Sequence, residues 1–269
     1  MLCFPNAKIN IGLNVVSKRT DGFHNIETVF YPIGLQDIIE ITPTSTHVEF
    51  INTGVQINGN ETDNLVVKVY QYFKENYQLP NIKLHLHKQI PFGAGLGGGS
   101  ADAAFTAVAL NRQFELNLPN EQLEAIVSIF GSDCAFFVKN TPAFGFGRGN
   151  ELSEINLNLS GYYLVLVNPG IHVATKDAYS LINPAVPLVS VSEAIKQPIT
   201  EWKYVLSNDF ERSVFTLFPE IENLKEQLYK LGALYAQMSG SGSSVFGIFS
   251  TEPDEMAFNS NYFVWKGKL

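Results

Sequence analysis

Alternation of apolar and polar positions predicts β-strands in the first third of the chain. Apolar side chains recur at every second position in residues 37–42 (DIIEIT), 47–53 (HVEFINT) and 82–88 (IKLHLHK). This is the period of a strand with one buried face. Residues 55–60 (VQINGN) are interpreted as a further strand, with Asn58-Gly59 as a turn. The first third is therefore expected to be rich in strands.

The stretch PNAKINIGL, residues 5–13, alternates in the same way. Ile9, Ile11 and Leu13 occupy one set of positions, whereas Lys8, Asn10 and Gly12 occupy the other. Because successive side chains of a strand point to opposite faces, Lys8 and Asn10 are predicted to share a face.

Helical spacing of apolar residues follows these strands. It is present in residues 64–77, 100–114 and 120–131. Ser100 and Asn120 are expected to be N-caps, and Gly131 is expected to end the third helix. In the second half, helical patterns cover residues 192–206 and 209–231, with breaks at Pro198 and Pro219.

Two strand patterns frame the second half. YYLVLVNPG (162–170) predicts one strand, and ALYAQMSGSGSSVFGIF (233–249) predicts strand, loop and strand. The remaining C-terminal residues leave room for only a short helix between the last two strands. Strands and helices are mixed without a strict βαβ rhythm, which predicts an α+β fold of two lobes. We place the boundary after residue 158, giving domains 1–158 and 159–269.

Composition narrows the class of protein. The chain has 269 residues, of which 45% are hydrophobic, so it can bury a large core. Its net charge of −8 argues against nucleic acid as a main partner. No apolar run approaches the ~20 residues of a membrane helix, and no signal pattern precedes the first strand, so we expect a cytoplasmic protein without membrane contact. Cys3 and Cys134 are expected to be small buried side chains.

The most unusual segment is PFGAGLGGGSADAA, residues 91–104, with five glycines among fourteen residues. It lies between a predicted strand and a predicted helix. Glycines allow successive N–H groups to approach an anion, and the N-terminus of the helix adds its positive end. A tight turn alone rarely uses so many glycines, so we interpret the segment as a seat for a polyphosphate.

Two known phosphate-binding motifs fit less well. A Walker A loop requires lysine where Gly99 stands. The dinucleotide motif G-x-G-x-x-G is present at Gly93, Gly95 and Gly98, but Glu115 follows a helix where the motif places an acidic residue after a strand. A dinucleotide-dependent oxidoreductase therefore stays as an alternative, as does a non-catalytic nucleotide-binding protein.

Six segments along the chain resemble the GHMP kinases, which phosphorylate galactose, homoserine, mevalonate and phosphomevalonate. The glycine-rich stretch is similar to their phosphate-binding signature. PNAKINIGL, RTDGFHNIETVF, GSDCAFFV, FGFGRGNEL and SGSGSSVFGIF are similar to further motifs of one branch. That branch acts on a cytidine-diphosphate-linked alcohol of the non-mevalonate isoprenoid pathway. Another GHMP branch stays as an alternative.

The resemblance implies a two-lobed GHMP-type fold, with ATP and Mg²⁺ as cofactors and a cytidine-linked alcohol as substrate. No side chain is assigned as a metal ligand. The residues expected to bind ATP are Asn64, Pro91, Gly93, Ala94, Gly95, Leu96, Gly97, Gly98, Gly99 and Ser100. Asn64 is also an ordinary candidate for a helix cap.

Phosphoryl transfer to an alcohol needs positioned phosphates, neutralised charge and a group that takes the hydroxyl proton. The resemblance assigns the last role to Asp133 and makes Lys8 its charged partner. From position alone, Asp133 is equally well read as the N-cap of the next helical turn.

The resemblance also implies a cytosine site. Phe23 and His24 match an aromatic residue and a histidine that hold the base, with phenylalanine where the family usually has tyrosine. Tyr179 matches a second aromatic residue, and Asn10 is expected to contact the substrate. His85 and His87 share one strand face, but with no third ligand nearby we interpret them as a packing or solvent-facing pair.

Overall fold

The computed structural model describes residues 1–56, 59–254 and 256–269. The β-strands in these ranges are Leu2–Cys3 (β1), Asn6–Lys18 (β2), His24–Gln36 (β3), Ile38–Pro43 (β4), Glu49–Gly54 (β5), Ile82–Lys88 (β6), Ala143–Phe146 (β7), Glu151–Glu154 (β8), Tyr163–Asn168 (β9), Tyr235–Met238 (β10), Val245–Phe249 (β11) and Phe263–Lys268 (β12).

The α-helices in the same ranges are Leu65–Tyr77 (α1), Gly98–Gln113 (α2), Asn120–Val127 (α3), Phe136–Lys139 (α4), Thr175–Ala178 (α5), Val191–Ala194 (α6), Trp202–Val205 (α7), Phe210–Leu217 (α8) and Pro219–Lys230 (α9). Short 3₁₀ turns cover Glu61–Asp63 and Ile199–Glu201. Helices and sheets are mixed along the chain, so the predicted α+β class is confirmed.

The described residues divide into two compact units. The first contains Met1–Ala7, Leu35–Phe92 and Gly97–Thr141, and the second contains Lys8–Gly34, Gly93–Leu96 and Pro142–Leu269. Each unit is assembled from separate stretches of chain. The proposed division after residue 158 stays a prediction.

The first unit packs helices on one sheet. Its strands lie in the order β1-β4-β6-β5, with β4 antiparallel and β5 parallel to β6. The alternation that predicts these strands also produces the core, because Ile39, Ile41, Leu84 and Leu86 are buried in one cluster. The helices contribute these buried side chains to the same cluster: Val66, Tyr70 and Phe73 from α1, and Ala103, Ala107 and Leu110 from α2.

The second unit contains two sheets. One has the order β2-β3-β7-β8, and the other has the order β10-β11-β9-β12 with antiparallel neighbours throughout. Strand β11 is buried along its whole length. Helices α8 and α9 place Phe210, Val214 and Leu224 in one hydrophobic cluster with Val165 of β9. Burial of each such side chain contributes about 1.5–3 kcal/mol relative to exposure.

Several boundaries differ from the sequence-based expectation. Helix α2 begins at Gly98 with Gly97 as its N-cap, so the prediction that Ser100 caps it is wrong. Asn120 is likewise the first residue of α3, because Pro119 occupies the cap. The correct starts are one to three residues earlier because glycine and proline begin these helices without a side-chain hydrogen bond.

Two other predicted segments need comment. Strand β5 ends at Gly54, and Val55 and Gln56 are not in a strand. Ile57 and Asn58, which belong to the same prediction, lie outside the described residues. Between β11 and β12, the described residues 250–254 and 256–262 contain no helix. In the described ranges, no helix has the length and apolar character that crossing a membrane requires.

Candidate active site

The glycine-rich loop connects β6 to α2 and requires glycine for steric reasons. Gly95 has a φ of +76°, a region that side chains with a Cβ rarely adopt. A Cβ at Gly95 would also lie 2.0 Å from the carbonyl oxygen of Ser239. At Gly98, a Cβ would lie 2.9 Å from Cγ2 of Ile90. Gly95 therefore leaves no room for a larger residue, and a side chain at Gly98 would require Ile90 to shift.

The carbonyl groups of the loop tip are used within the second unit. The Ala94 carbonyl accepts a hydrogen bond from the Ser244 N–H at 3.3 Å, and the Leu96 carbonyl accepts one from the Lys8 N–H at 3.0 Å. The Gly95 carbonyl accepts bonds from the Ser239 hydroxyl at 2.9 Å and from Lys8 Nζ at 3.3 Å.

The N–H groups of the same residues are arranged differently. Among the hydrogen bonds of the described residues, the N–H groups of Gly93–Leu96 donate none. These N–H groups lie next to the N-terminus of a 16-residue helix. Unused backbone donors in such a position are typical of anion-binding sites. The loop can thus bind a phosphate chain.

A cavity of about 610 Å³ lies within the first unit. Its lining includes Phe92 and Gly99 from the loop region and Asn64 from the start of α1. The Asn64 side chain caps α1, because its Oδ1 accepts a hydrogen bond from the Val66 N–H at 3.0 Å. Pro91, half-buried, precedes Phe92. The helix-cap interpretation of Asn64 is confirmed, and the residue also lines a space large enough for a nucleobase.

Asp133 and Ser100 belong to neighbouring segments of the first unit. Asp133 lies in the turn before α4, which begins at Phe136 with Ala135 at its N-cap position, and the alternative interpretation of Asp133 as a cap stays a prediction. Next to it, burial raises the pKa of the Cys134 thiol to about 11, with the Asp133 charge acting in the same direction and a hydrogen bond with Ser100 opposing it. Cys134 is buried, as predicted.

Lys8 and Asn10 lie side by side on β2 in the second unit, which confirms that they share a face. Lys8 Nζ donates a hydrogen bond to Asn10 Oδ1 at 2.5 Å and lies 5.2 Å from the centre of the Phe30 ring. Asn10 Nδ2 donates to the Thr28 hydroxyl at 3.0 Å. Both side chains are buried. A lysine held by hydrogen bonds in a buried setting is not an ordinary surface lysine.

The residues predicted to hold a base are on or near β3 and α5 in the second unit. Phe23 is 51% exposed, and the Arg148 guanidinium lies 3.8 Å from its ring centre. His24 stacks on Tyr179 with ring centres 4.6 Å apart. The structure therefore brings His24 and Tyr179 together, and it pairs Phe23 with a cation that the sequence analysis did not single out.

A buried ion cluster lies beside the loop in the first unit. Lys88 Nζ donates a hydrogen bond to Asp37 Oδ2 and another, at 2.7 Å, to Asp102 Oδ2. The three side chains are at most 3% exposed. Burial, together with the neighbouring Asp37 carboxylate, raises the pKa of Asp102 to about 7, although Lys88 acts in the opposite direction. Burial also opposes the charge of Lys88, but the two carboxylates raise its pKa.

The sequence analysis missed Arg148 and this cluster for different reasons. Arg148 is part of the quoted motif FGFGRGNEL, and an arginine between two glycines was the available signal. Lys88 is 51 residues from Asp37 and 14 from Asp102, so no local pattern connects the three. The SGSGSS loop joins β10 to β11, and its Ser239 and Ser244 contact the glycine-rich loop tip as described above.

The histidine pair of β6 is explained by packing. Nε2 of His85 and Nδ1 of His87 lie 2.8 and 2.9 Å from the Thr53 hydroxyl. Within the described part of the chain, no group of three or more His, Cys, Asp and Glu side chains is placed to hold a metal ion.

The chain is similar to known proteins over its whole length. Residues 64–147 match the family model of the GHMP kinases N terminal domain, and residues 193–259 match that of the GHMP kinases C terminal domain. A protein of Parabacteroides distasonis named 4-diphosphocytidyl-2-C-methyl-D-erythritol kinase is 52% identical over 100% of both chains. A protein of the same name from Cytophaga hutchinsonii is 52% identical over 97% of both chains.

Solved structures give the same result. A crystal structure of 4-(cytidine 5'-diphospho)-2C-methyl-D-erythritol kinase is 31% identical, with a TM-score of 0.77 over 92% of this chain and 90% of that chain. A crystal structure of L. major mevalonate kinase in complex with R-mevalonate is 15% identical, with a TM-score of 0.67 over 93% of this chain and 87% of that chain. The latter likeness concerns the fold alone.

Proposed function

The chain belongs to the GHMP kinase family, in its 4-diphosphocytidyl-2-C-methyl-D-erythritol kinase branch, and from that premise we propose that it transfers the γ-phosphoryl group of ATP to the 2-hydroxyl of 4-diphosphocytidyl-2-C-methyl-D-erythritol. It is an ATP-dependent phosphotransferase with an alcohol as acceptor. This activity belongs to the synthesis of isoprenoid precursors. The dinucleotide-dependent oxidoreductase is not favoured, because full-length relatives are kinases.

The observation that carries this proposal is that the carbonyl and N–H groups of the glycine-rich loop differ in their hydrogen bonding. Its tip carbonyls accept hydrogen bonds from the protein, whereas the N–H groups of Gly93–Leu96 donate none among the described residues. We assign these N–H groups, together with Gly97, Gly98, Gly99 and the Ser100 hydroxyl, to the phosphates of ATP. Asn64 and Pro91 would bind on the nucleoside side, since Asn64 lines the cavity of the first unit.

Mg²⁺ is the expected partner of the phosphates. Magnesium in kinases is bound largely through substrate phosphates and keeps several waters. A loop whose N–H groups are available to phosphates fits that mode of binding. Mg²⁺ would be held through the ATP phosphates that the loop and Ser100 position, and it would neutralise charge on the transferred group.

Two residues are assigned to the chemistry. Asp133 accepts the proton of the attacking hydroxyl, a role that contributes about 10²–10⁴ in rate. Lys8 contributes positive charge near the reacting oxygens, and its contacts with Asn10 Oδ1 and the Gly95 carbonyl support the assignment because they fix its ammonium group against the loop tip. The Lys8 side chain is therefore already ordered before the substrate binds.

The cytidine group of the substrate is assigned to the aromatic residues of the second unit. Phe23 presents a half-exposed ring for stacking, and base stacking on an aromatic side chain contributes about 1–3 kcal/mol. His24 is assigned to hydrogen bonding with the base, and Asn10 to contact with the substrate. Tyr179 packs on His24 and is proposed to complete this site.

The proposed domain boundary after residue 158 lies between the two family matches.

Steady-state kinetics with ATP, Mg²⁺ and the cytidine-linked alcohol test the proposal. We expect ADP release that depends on this alcohol and is absent with mevalonate or homoserine. Asp133→Asn should lower kcat by at least about 10²-fold, while calorimetry shows nearly unchanged binding of a cytidine nucleotide. Asp254→Asn, an exposed carboxylate, is the matched control and should retain full activity. A wild-type rate for Asp133→Asn would refute the assignment of the base.

A further inference from the structure

The two arms of the glycine-rich loop begin and end in the first unit. The entering arm is the end of β6 and residues 89–92, and the leaving arm is the first turns of α2. The four residues between them are grouped with the second unit. Whatever holds the two arms at a fixed separation therefore determines where the phosphate-binding backbone can lie.

The buried ion cluster of Lys88, Asp37 and Asp102 contacts both arms. Lys88 is the last residue of β6, and Asp102 lies in the second turn of α2. The Lys88 ammonium group joins them through its 2.7 Å hydrogen bond to Asp102 Oδ2. The side chain of Lys88 therefore spans the base of the loop.

Asp37 holds the entering arm from a third direction. Its Oδ1 accepts hydrogen bonds from the backbone N–H groups of Gln89 at 2.6 Å and Ile90 at 2.8 Å. Its own backbone N–H donates to the Pro5 carbonyl at 2.8 Å, which ties the Asp37 backbone to the connection between β1 and β2. One carboxylate thus fixes the backbone direction just before the glycines.

Close packing at Gly98 makes the arrangement sensitive to small shifts. A Cβ at this position would lie 3.0 Å from Lys88 Nζ and 2.9 Å from Ile90 Cγ2, so the start of α2 rests directly on the cluster and on the entering arm. Lys88, Asp102 and Gly99 also line the 610 Å³ cavity, whereas Asp37 is not among its lining residues. Asp37 can thus influence a ligand in that cavity only through its neighbours.

The cluster is a poor device for stability alone. Burying three ionisable groups carries a desolvation cost, and well-packed apolar residues often stabilise a core equally well. One oxygen, Asp102 Oδ1, has no hydrogen-bond partner among the described residues. Ionic hydrogen bonds, however, are directional, whereas apolar contacts are not. Directional bonds at this place are useful because they fix the relative positions of the two arms of the loop.

We propose that Lys88, Asp37 and Asp102 are positioning residues that hold the two arms of the glycine-rich loop at the separation required to bind the ATP phosphates. This inference rests on the proposed function insofar as the loop is the ATP site. It assigns the cluster to the ATP side of the reaction and gives it no part in binding the alcohol.

Asp37→Asn is the decisive variant. Asparagine keeps an oxygen for the Gln89 and Ile90 N–H groups but removes the charge that pairs with Lys88. We expect the KM for ATP to rise about tenfold or more, while the KM for the cytidine-linked alcohol stays within twofold and the thermal unfolding temperature remains above the assay temperature. Lys88→Arg, which keeps the charge, should recover part of the loss relative to Lys88→Met.

A control separates this effect from the general loss of a buried ion pair. Lys225 Nζ bonds to Glu211 Oε2 at 2.6 Å in the second unit. Lys225→Met should lower the unfolding temperature without raising the KM for ATP selectively. If Asp37→Asn fails to fold, the triple variant Lys88→Met, Asp37→Asn, Asp102→Leu removes all three charges at once and leaves no uncompensated buried ion.

Amide hydrogen exchange supplies a readout that does not depend on kinase activity. Asp37→Asn should speed exchange at residues 89–90 and 98–102 relative to wild type and to Lys225→Met. If Asp37→Asn speeds exchange in the two arms as expected but the wild type fails to bind ATP, the proposed function fails. The inference that the cluster positions the two arms is then still supported. A folded Asp37→Asn protein with unchanged exchange in the two arms, an unchanged KM for ATP, or equal rises in both KM values would overturn the inference.

Discussion

At the scale of single residues, the contact of Arg148 with Phe23 is the least expected feature of the proposed cytidine site. The guanidinium lies 3.8 Å from the centre of a ring that is 51% exposed. A cation over one face of a ring restricts the ring's rotation and leaves the opposite face available for a base. Phe23 has no hydroxyl group with which to form a hydrogen bond, so its orientation depends on such packing.

Arg148→Ala should therefore weaken binding of the cytidine-linked alcohol. An exposed cation–π contact contributes about 0.5–1 kcal/mol, so we expect the KM for the alcohol to rise about two- to fivefold and the KM for ATP to stay constant. Lys203→Ala removes another such contact, in which Nζ lies 4.8 Å from the Tyr204 ring, and should change neither. Equal KM values for Arg148→Ala and wild type would show that Phe23 needs no support.

The residues of the site differ in how far the sequence could predict them. The glycine-rich loop was predictable because its chemistry is local: Gly93, Gly95 and Gly98 are spaced along one short segment. Lys8 and Asn10 were predictable as neighbours because strand period alone places them on one face. Asp37 and Lys88 were not, because they meet only when β4 and β6 pair in the first sheet.

At the scale of elements, alternation identified strands such as β6, whose two faces differ in burial. Residues 82–88 form the strand that their alternation predicts, Ile82–Lys88. The sequence analysis did not predict β3, in which Val29, Phe30 and Tyr31 are consecutive buried residues followed by Pro32. A strand covered on both sides shows no period of two, and proline further disguises it.

Helix starts were less predictable than helix bodies, and the two candidate caps of the site make the difference testable. The Asn64 side chain caps α1, whereas Ser100 lies inside the first turn of α2 and caps nothing. Asn64→Ala should therefore lower the free energy of unfolding by about 1 kcal/mol. Ser100→Ala should leave it within about 0.5 kcal/mol of wild type, because the side chain caps no helix and its hydrogen bond with the Cys134 thiol is a weak one.

Urea denaturation of the two variants measures these free energies, and the KM for ATP separates stability from binding. Ser100→Ala should raise the KM for ATP although the fold is unaffected, because its hydroxyl is assigned to the phosphates. A loss of stability in Ser100→Ala as large as that in Asn64→Ala would instead support a capping role for Ser100.

At the scale of the whole molecule, the net charge of −8 does not indicate which carboxyl groups are buried. Asp102, beside the glycine-rich loop, is one of them. Burial and the Asp37 carboxylate raise the pKa of Asp102 to about 7, from 3.8 for an unperturbed carboxyl. Between these values the folded protein holds a proton that the unfolded chain releases. The free energy of unfolding must therefore fall as the pH rises through this window.

The pH dependence of unfolding tests this linkage. For a single group the slope approaches about −1.4 kcal/mol per pH unit inside the window, so wild type should lose stability between pH 5 and pH 7 through Asp102.

Burial also raises the pKa of Glu211, which acts with the same sign. Asp102→Asn removes only the first contribution, and Glu211→Gln only the second. Denaturation with urea across this range should give a flatter slope for Asp102→Asn than for wild type, with Glu211→Gln as the matched comparison. Parallel curves for wild type and Asp102→Asn would mean that Asp102 is ionised in the folded protein throughout the window, and that the lysine alone balances both carboxylates.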